Sequence, residues 1–400
     1  MPIATSPANK LPSRHNQWRK RWLSLHLYFG LSLGLVFVLA GLTGSLLVFY
    51  VELDEMINPQ LQVSAALAEQ EPESYEAVFQ AIRQAHPQRS GAWRLEMPRH
   101  KQAMLMARYY KPVEKVGLSF APLIVWVNPY NAEVVSSRFW GDFVMTWLFD
   151  LHYALLLDSA GKIVMGIVGF LLLIPLLGGI YLWWPTSGKL RQALSIKRGA
   201  SKPRFIFDLH KTNGIYSFVI LLLLLLSGII LELPAVFKPA INYLSPLYQM
   251  EAKQINYQSG YSRITLDQAV AVATNRYPDA LLRWIETPDS KAGSYRIVLY
   301  QQGEASARFP KTTVWVDQYS GAVLSTRDPV TEQAGDTFMS WLHPLHNGEI
   351  AGMPGRWLIF ASGFIPAILY VTGIMRWLQK RRAQHLHELK KAATNLKRDI

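Results

Sequence analysis

Four of the ten histidines in this 400-residue chain sit at matched places in a sequence that is written twice. His26 is followed by Gly30 and Gly44, and His210 by Gly214 and Gly228, at the same offsets. His152, Gly161, Gly169, Gly179 and Trp183 correspond without a gap to His346, Gly355, Gly363, Gly373 and Trp377. Two imidazoles at equal depth on facing helices can fill both axial positions of a haem iron, which favours electron transfer over oxygen binding. Gly30 and Gly214, one turn after their histidines, leave room for a flat macrocycle. A lone histidine at a membrane interface is more often an amphipathic anchor, and duplication copies anchors as readily as ligands. Four at repeat-equivalent positions reverse that balance. The expected cofactors are two haem b, one held by His26 and His210 and the other by His152 and His346. His343, whose repeat counterpart is Phe149, is an alternative to His346 or a neighbour of the substrate. The remaining histidines receive no role, and no catalytic residue is assigned.

The elements that must position these residues are apolar. Half the residues are hydrophobic and only 17% are charged, a balance that fits membrane spans combined with water-soluble domains. A bilayer crossing needs about 20 apolar residues, and four stretches qualify: 23–51, 163–184, 209–233 and 357–378. The first is too long for a signal peptide and lacks a small-x-small cleavage site, so it reads as an uncleaved anchor. The net charge of +13 gathers in 1–22, 185–208 and 379–400. By the positive-inside rule these segments are cytoplasmic. The expected location is therefore the bacterial inner membrane, multi-pass, with both termini inside. The same mapping explains the basic balance without nucleic acid. Zero cysteines exclude thiolate metal sites, iron–sulfur clusters and covalently attached haem.

Residues 52–139 and 234–335 then lie outside, each followed by a surface segment. Segment 140–162 carries His152, and 336–356 carries His343 and His346. Each external region opens with a helical pattern, one reaching His86-Pro87 and the other Tyr277-Pro278. Each ends in a strand–turn–strand pattern, at Val125–Val135 and Val314–Leu324. The fold class is a membrane protein of four transmembrane α-helices in a parallel pseudo-twofold repeat, with two periplasmic α+β domains. Met97, Met104 and Met106 suggest copper less than a packed sheet face. Glu52, Asp54 and Glu55 fit a solvated helix end better than a cation site. No G-x-G-x-x-G, P-loop or Ser-His-Asp arrangement is present. The cytoplasmic segments are too short for a flavin or nicotinamide domain, so electrons entering from inside need a separate donor.

Leu25-His26, Gly41-Leu42-Thr43-Gly44, Leu151-His152, Trp183-Trp184-Pro185, Asp208-Leu209-His210 and Leu345-His346-Asn347-Gly348 together resemble the PepSY-associated transmembrane family. The external domains resemble PepSY domains. The resemblance runs from about Arg21 to Trp377. It implies an inner-membrane ferrisiderophore reductase with two haems b, ligated at the matching His26, His210, His152 and His346. The expected partners are the lipid bilayer, a flavin- or NAD(P)H-linked cytoplasmic donor and a periplasmic Fe(III)-siderophore. Ser227-Gly228 and Gly178-Gly179 stand where the family commonly has Thr-Gly. Soluble PepSY domains are associated with peptidase inhibition, which implies a second reading: a non-redox membrane protein that binds a peptidase or envelope partner. A third keeps the haems and changes the acceptor.

Overall fold

The computed structural model describes residues 14–185, 188–249 and 262–396. Lys10, Lys397 and Arg398, which belong to the basic segments, lie outside the described residues. Helices α1 (Arg14–Val48), α2 (Tyr50–Ile57) and α3 (Tyr75–Ala85) lead into strands β1 (Trp93–Glu96), β2 (Leu105–Tyr109), β3 (Leu123–Val127) and β4 (Val134–Phe139). Helices α4 (Val144–Ala154), α5 (Asp158–Trp183) and the short α6 (Leu190–Ala193) follow. The order then recurs with α7 (Lys202–Glu232), α8 (Pro234–Leu244) and α9 (Leu266–Arg276). Strands β5 (Leu281–Glu286), β6 (Ser294–Tyr300), β7 (Thr312–Asp317) and β8 (Val323–Arg327) come next. The described chain closes with α10 (Ala334–Asn347), α11 (Gly352–Ser362) and α12 (Ile365–Leu396).

Contacts divide the chain into two compact units. One holds residues up to Leu42, Ile167–Ile229, and the chain from Ala361 onward. Val168, Leu172 and Leu225 form its buried apolar cluster, with Leu33, Val36 and Phe37 packed against them. Gly34 lets the Tyr370 ring lie on α1, because a methyl group there would overlap it. Four helical stretches are long and apolar enough to cross a membrane: Asn16–Val48, Asp158–Trp183, Lys202–Glu232 and Glu349–Asn395. Between 22% and 28% of their apolar windows is buried within the protein. Apolar side chains such as Leu35, Ile167 and Val219 are exposed on these helices, as on a helix solvated by lipid. The chain is thus membrane-type. The fourth span, continuous at 357–378 in the sequence reading, is broken at Gly363 and Phe364. Pro366, which has no N–H to donate, occupies the first turn of α12 just beyond the break.

The other unit holds Thr43–Gly166 and Ile230–Phe360. Its eight strands form one sheet in the order β4-β3-β2-β1-β5-β6-β7-β8. All the pairings are antiparallel, and β1 meets β5 at the centre. The two α+β segments therefore share a sheet and a core. Val78, Ile82, Leu95 and Val125 from one segment pack with Leu266, Ile285, Ile297 and Val314 from the other. Period-two alternation sends Trp93 and Leu95 into this core and leaves Arg94 and Glu96 on the opposite face. The covering helices cap one another. Asp267 accepts from the Tyr75 and Glu76 backbone N–H groups at 2.9 and 3.0 Å, and Glu76 accepts from Leu266 N at 3.0 Å. These are the donors that a helix start leaves unsatisfied. The outer hairpins carry bulges at repeat-equivalent places, Trp126/Val127 and Trp315/Val316. Their turns hold Ala132 at φ 55° and Gly321 at φ 70°.

Candidate functional site

His26 on α1 and His210 on α7 face each other in the first unit, with ring centroids 6.1 Å apart and planes at 85°. His152 on α4 and His346 on α10 do so in the second, at 6.2 Å and 56°. A metal–imidazole nitrogen bond is about 2.0 Å. Two imidazoles on opposite sides of one metal therefore hold their ring centres about 6 Å apart. Both pairs fit that spacing, so haem iron is a chemically reasonable guest for each. Among the described residues no group of three or more His, Asp or Glu is placed to hold a metal ion. The donor set is thus two nitrogens per site, the number that a porphyrin iron leaves open.

Hydrogen bonds fix which nitrogen His26 and His210 present. The His26 Nδ1–H donates to the Pro175 carbonyl at 2.8 Å. That oxygen has no proton to give, so Nε2 keeps its lone pair. His210 Nδ1 lies 2.9 Å from Thr372 Oγ1. The Thr372 hydroxyl already donates to Ile368 O at 2.6 Å, so it accepts from His210 and again leaves Nε2 bare. His152 Nδ1 lies 3.1 Å from Thr43 Oγ1. Holding a ligand ring through its second nitrogen is the usual outer-sphere arrangement of metal-binding histidine. Gly44 lets the His152 ring lie on α1, whereas at Gly179 and Gly373 a methyl group would make only ordinary contact with the ring. A Cβ on Gly44 would stand 2.9 Å from His152 Cε1, and Cβ atoms on Gly179 and Gly373 would stand 3.4 and 3.6 Å from the Cε1 atoms of His26 and His210. Gly30 faces open space, with nothing within 4 Å of where its Cβ would be.

His343 is different. Asn347 Oδ1 accepts from the Glu349 backbone N–H at 2.9 Å, which turns its amide nitrogen toward His343 Nδ1 at 3.3 Å. An amide nitrogen only donates, so the neutral His343 carries its proton on Nε2. Burial first, and then the nearby Arg308 charge, pushes its pKa down to about 3, so it is neutral at pH 7. Its ring packs against Phe309 at 4.5 Å between centroids.

A cavity of about 560 Å³ opens in the second unit on the face of the sheet away from α3 and α9. Phe309 and Phe149 stand in its wall, the latter three residues before His152 on α4. Trp140, Trp126 and Trp284 supply more of the aromatic lining. The Trp140 indole N–H donates to Asp150 at 2.8 Å and ties α4 to the sheet. Asp336 accepts from Arg327 Nη2 of β8 at 3.3 Å and does the same for α10. A family model described as PepSY-associated TM region matches residues 23–380. The chain belongs to that family. A search of curated proteins finds no match.

Within this PepSY-associated TM chain, the structure gathers the four repeat-equivalent histidines into two pairs and places His343 beside the second. Met104 and Met106 pack around Trp126 and Phe143, while Met97 packs on the opposite core. Glu52 pairs with Arg356 at 2.6 Å, and Asp54 and Glu55 line the cavity mouth. Burial raises the Asp54 pKa to about 6. Sequence reasoning missed Thr43, Thr372 and Pro175 as partners of the histidines. A usable signal was present: Thr43-Gly44 and Thr372-Gly373 are Thr-Gly pairs in which the threonine bonds an imidazole, and Gly44 also makes room for the ring. Where Gly178-Gly179 stands instead, His26 takes the Pro175 carbonyl.

Proposed function

We propose that this chain is an inner-membrane di-haem b oxidoreductase. On this reading it carries electrons from a cytoplasmic flavin- or NAD(P)H-linked donor to a periplasmic Fe(III)-siderophore, releasing Fe(II) for uptake. The observation that carries the reading is the double pairing: His26 with His210 and His152 with His346, with ring centroids 6.1 and 6.2 Å apart. Haem b, when bound, would supply a one-electron couple, and His26, His210, His152 and His346 would hold it. The chain's own residues hold and orient. Pro175 O, Thr372 Oγ1 and Thr43 Oγ1 fix three rings through Nδ1. His343, protonated on Nε2, is a neighbour of the second pair and not its ligand. The basic segments place the first pair toward the cytoplasm and the sheet-bearing unit in the periplasm. The two halves then form a parallel repeat about an axis along the membrane normal, with the PepSY-like domains external.

An optical spectrum of the detergent-purified protein, before and after dithionite, with pyridine haemochrome quantification, tests this. Sharp reduced α and Soret bands with about two haems b per chain are expected. A colourless protein from haem-replete cells would sink the reading and leave a non-redox envelope-binding role. Thr372→Val should lower haem affinity at the His210 site by about 10- to 100-fold, because it removes the acceptor that fixes the tautomer. Haem retention during dilution measures this, and Thr372→Ser should restore it.

A further inference from the structure

The cavity has an imbalance of charge that neither the fold nor the histidine pairs use. Arg94 and Arg108 line it, but both are spoken for: the first bonds Glu286 at 2.6 Å and the second Glu96 at 2.8 Å. Arg99, Arg283 and Arg308 line it as well and form no ion pair among the described residues. The lining carboxylates are occupied elsewhere. Glu349 accepts from the Arg308 backbone N–H and the Ser306 hydroxyl, and Glu55 bonds His100. The Arg283 Nε is buried with no hydrogen-bond partner. The Arg308 guanidinium lies over the rings of Tyr50 and Phe309, at 5.2 and 5.3 Å, with no ion pair among the described residues, although Glu349 and Glu96 lie near enough to offset part of its charge. Burial first, and then the neighbouring Arg99 charge, lowers the pKa of Arg308 to about 10 and shifts Arg283 in the same direction.

Three arginines crowding one another cost electrostatic energy that a bound anion would relieve. Arg99 comes from the first half of the sequence and the other two from the second, so the cluster exists only where β1 and β5 join. Around it, Trp284, Trp126 and Phe309 line the cavity, with Arg94 over the Trp284 ring at 4.3 Å. Guanidinium groups beside aromatic faces suit a ligand that is both negatively charged and aromatic. The volume lies within the range of about 300–1,000 Å³ for small-molecule sites. Phe309 connects the cluster to His343 and hence to the second histidine pair.

We propose that Arg99, Arg283 and Arg308 bind the acceptor as a polyanionic chelate with aromatic catecholate or phenolate donors, in preference to a neutral or cationic one. This rests on the electron-transfer reading above and names the charge class that it left open. The probes are gallium(III) complexes of two hexadentate ligands, a tricatecholate of net negative charge and a neutral trihydroxamate. Gallium(III) is not reduced under these conditions, so titration calorimetry on the full chain in phosphatidylcholine nanodiscs reads binding apart from turnover. The tricatecholate should bind at least about 100-fold more tightly than the trihydroxamate, and less tightly as salt rises. Arg99→Gln, Arg283→Gln and Arg308→Gln should each weaken it by about 10-fold, or about 1.4 kcal/mol. Arg308→Lys, which keeps the charge, should retain part of the affinity. Arg99 is exposed, so its variant keeps the fold.

Equal binding of the two complexes, or indifference of the tricatecholate to all three glutamine variants, would overturn the proposal even in a protein holding both haems. Loss of tricatecholate binding when phosphatidylglycerol is added to the nanodiscs would overturn it too, since the arginines would then serve lipid headgroups. Arginine-dependent binding in a colourless protein would uphold the anion site and remove the electron-transfer reading instead.

Discussion

On the di-haem reading, alanine in place of His26 or His210 should leave about one haem b per chain where the unaltered protein should hold about two. His152→Ala and His346→Ala should remove the other. Partners that merely orient a ligand are worth about 10- to 100-fold in affinity, so loss of the ligand itself must cost more. The loss should also be local to the pair, because His26 and His210 lie in one compact unit and His152 and His346 in the other. His343→Ala is the informative control. Its Nε2 carries the proton, so haem content and the low-spin spectrum should be unchanged. Pyridine haemochrome counts and reduced spectra of the five variants decide the matter. Full haem content in both His26→Ala and His210→Ala would remove that pair from the site. Loss of haem in His343→Ala with retention in His346→Ala would exchange their roles.

A larger structural effect is expected from two glycines that touch neither ring. Helix α4 ends at Ala154, and a tight turn with Leu155, Leu156 and Asp158 all at positive φ sends the chain into α5. The turn is so close that a Cβ on Gly161 would overlap the carbonyl oxygen of Ala154. At the repeat-equivalent place a Cβ on Gly355 would overlap the carbonyl of Gly348, just past the end of α10. In each case a backbone, not a flexible side chain, blocks the methyl group, so the histidine-bearing helix must shift. Overpacking of this kind costs about 1–3 kcal/mol and occasionally more. Gly161→Ala and Gly355→Ala should each lower the thermal midpoint and displace His152 or His346 from its partner. The expected readout is loss of the second haem with the His26–His210 haem retained, seen in the same haemochrome and spectral assays. Variants that keep about two haems and an unchanged midpoint would show that the turn can open without moving the ligands.

The sequence alone was enough to determine the membrane class, the four apolar stretches and the residues that matter in pairs. Those features are local or periodic. Twenty apolar residues in a row have few other stable environments, and duplication leaves His26 and His210, or His152 and His346, at offsets that can be counted. The helix starts were equally legible, since Ser74 and Thr265 are capping residues followed by helical periodicity. Only the tertiary structure decided how the two α+β segments combine. The β1–β5 pairing and the exchange of caps between Asp267 and Glu76 join residues about 190 positions apart, and no local pattern encodes such a partner. The same holds for the roles of Thr43, Thr372 and Pro175, for the protonated nitrogen of His343, and for the meeting of Arg99 with Arg283 and Arg308. A hydrogen bond or a charge cluster is set by side chains brought within a few ångströms through packing. Composition and spacing specify what each residue can do; the shared sheet and the packed helices determine what it meets.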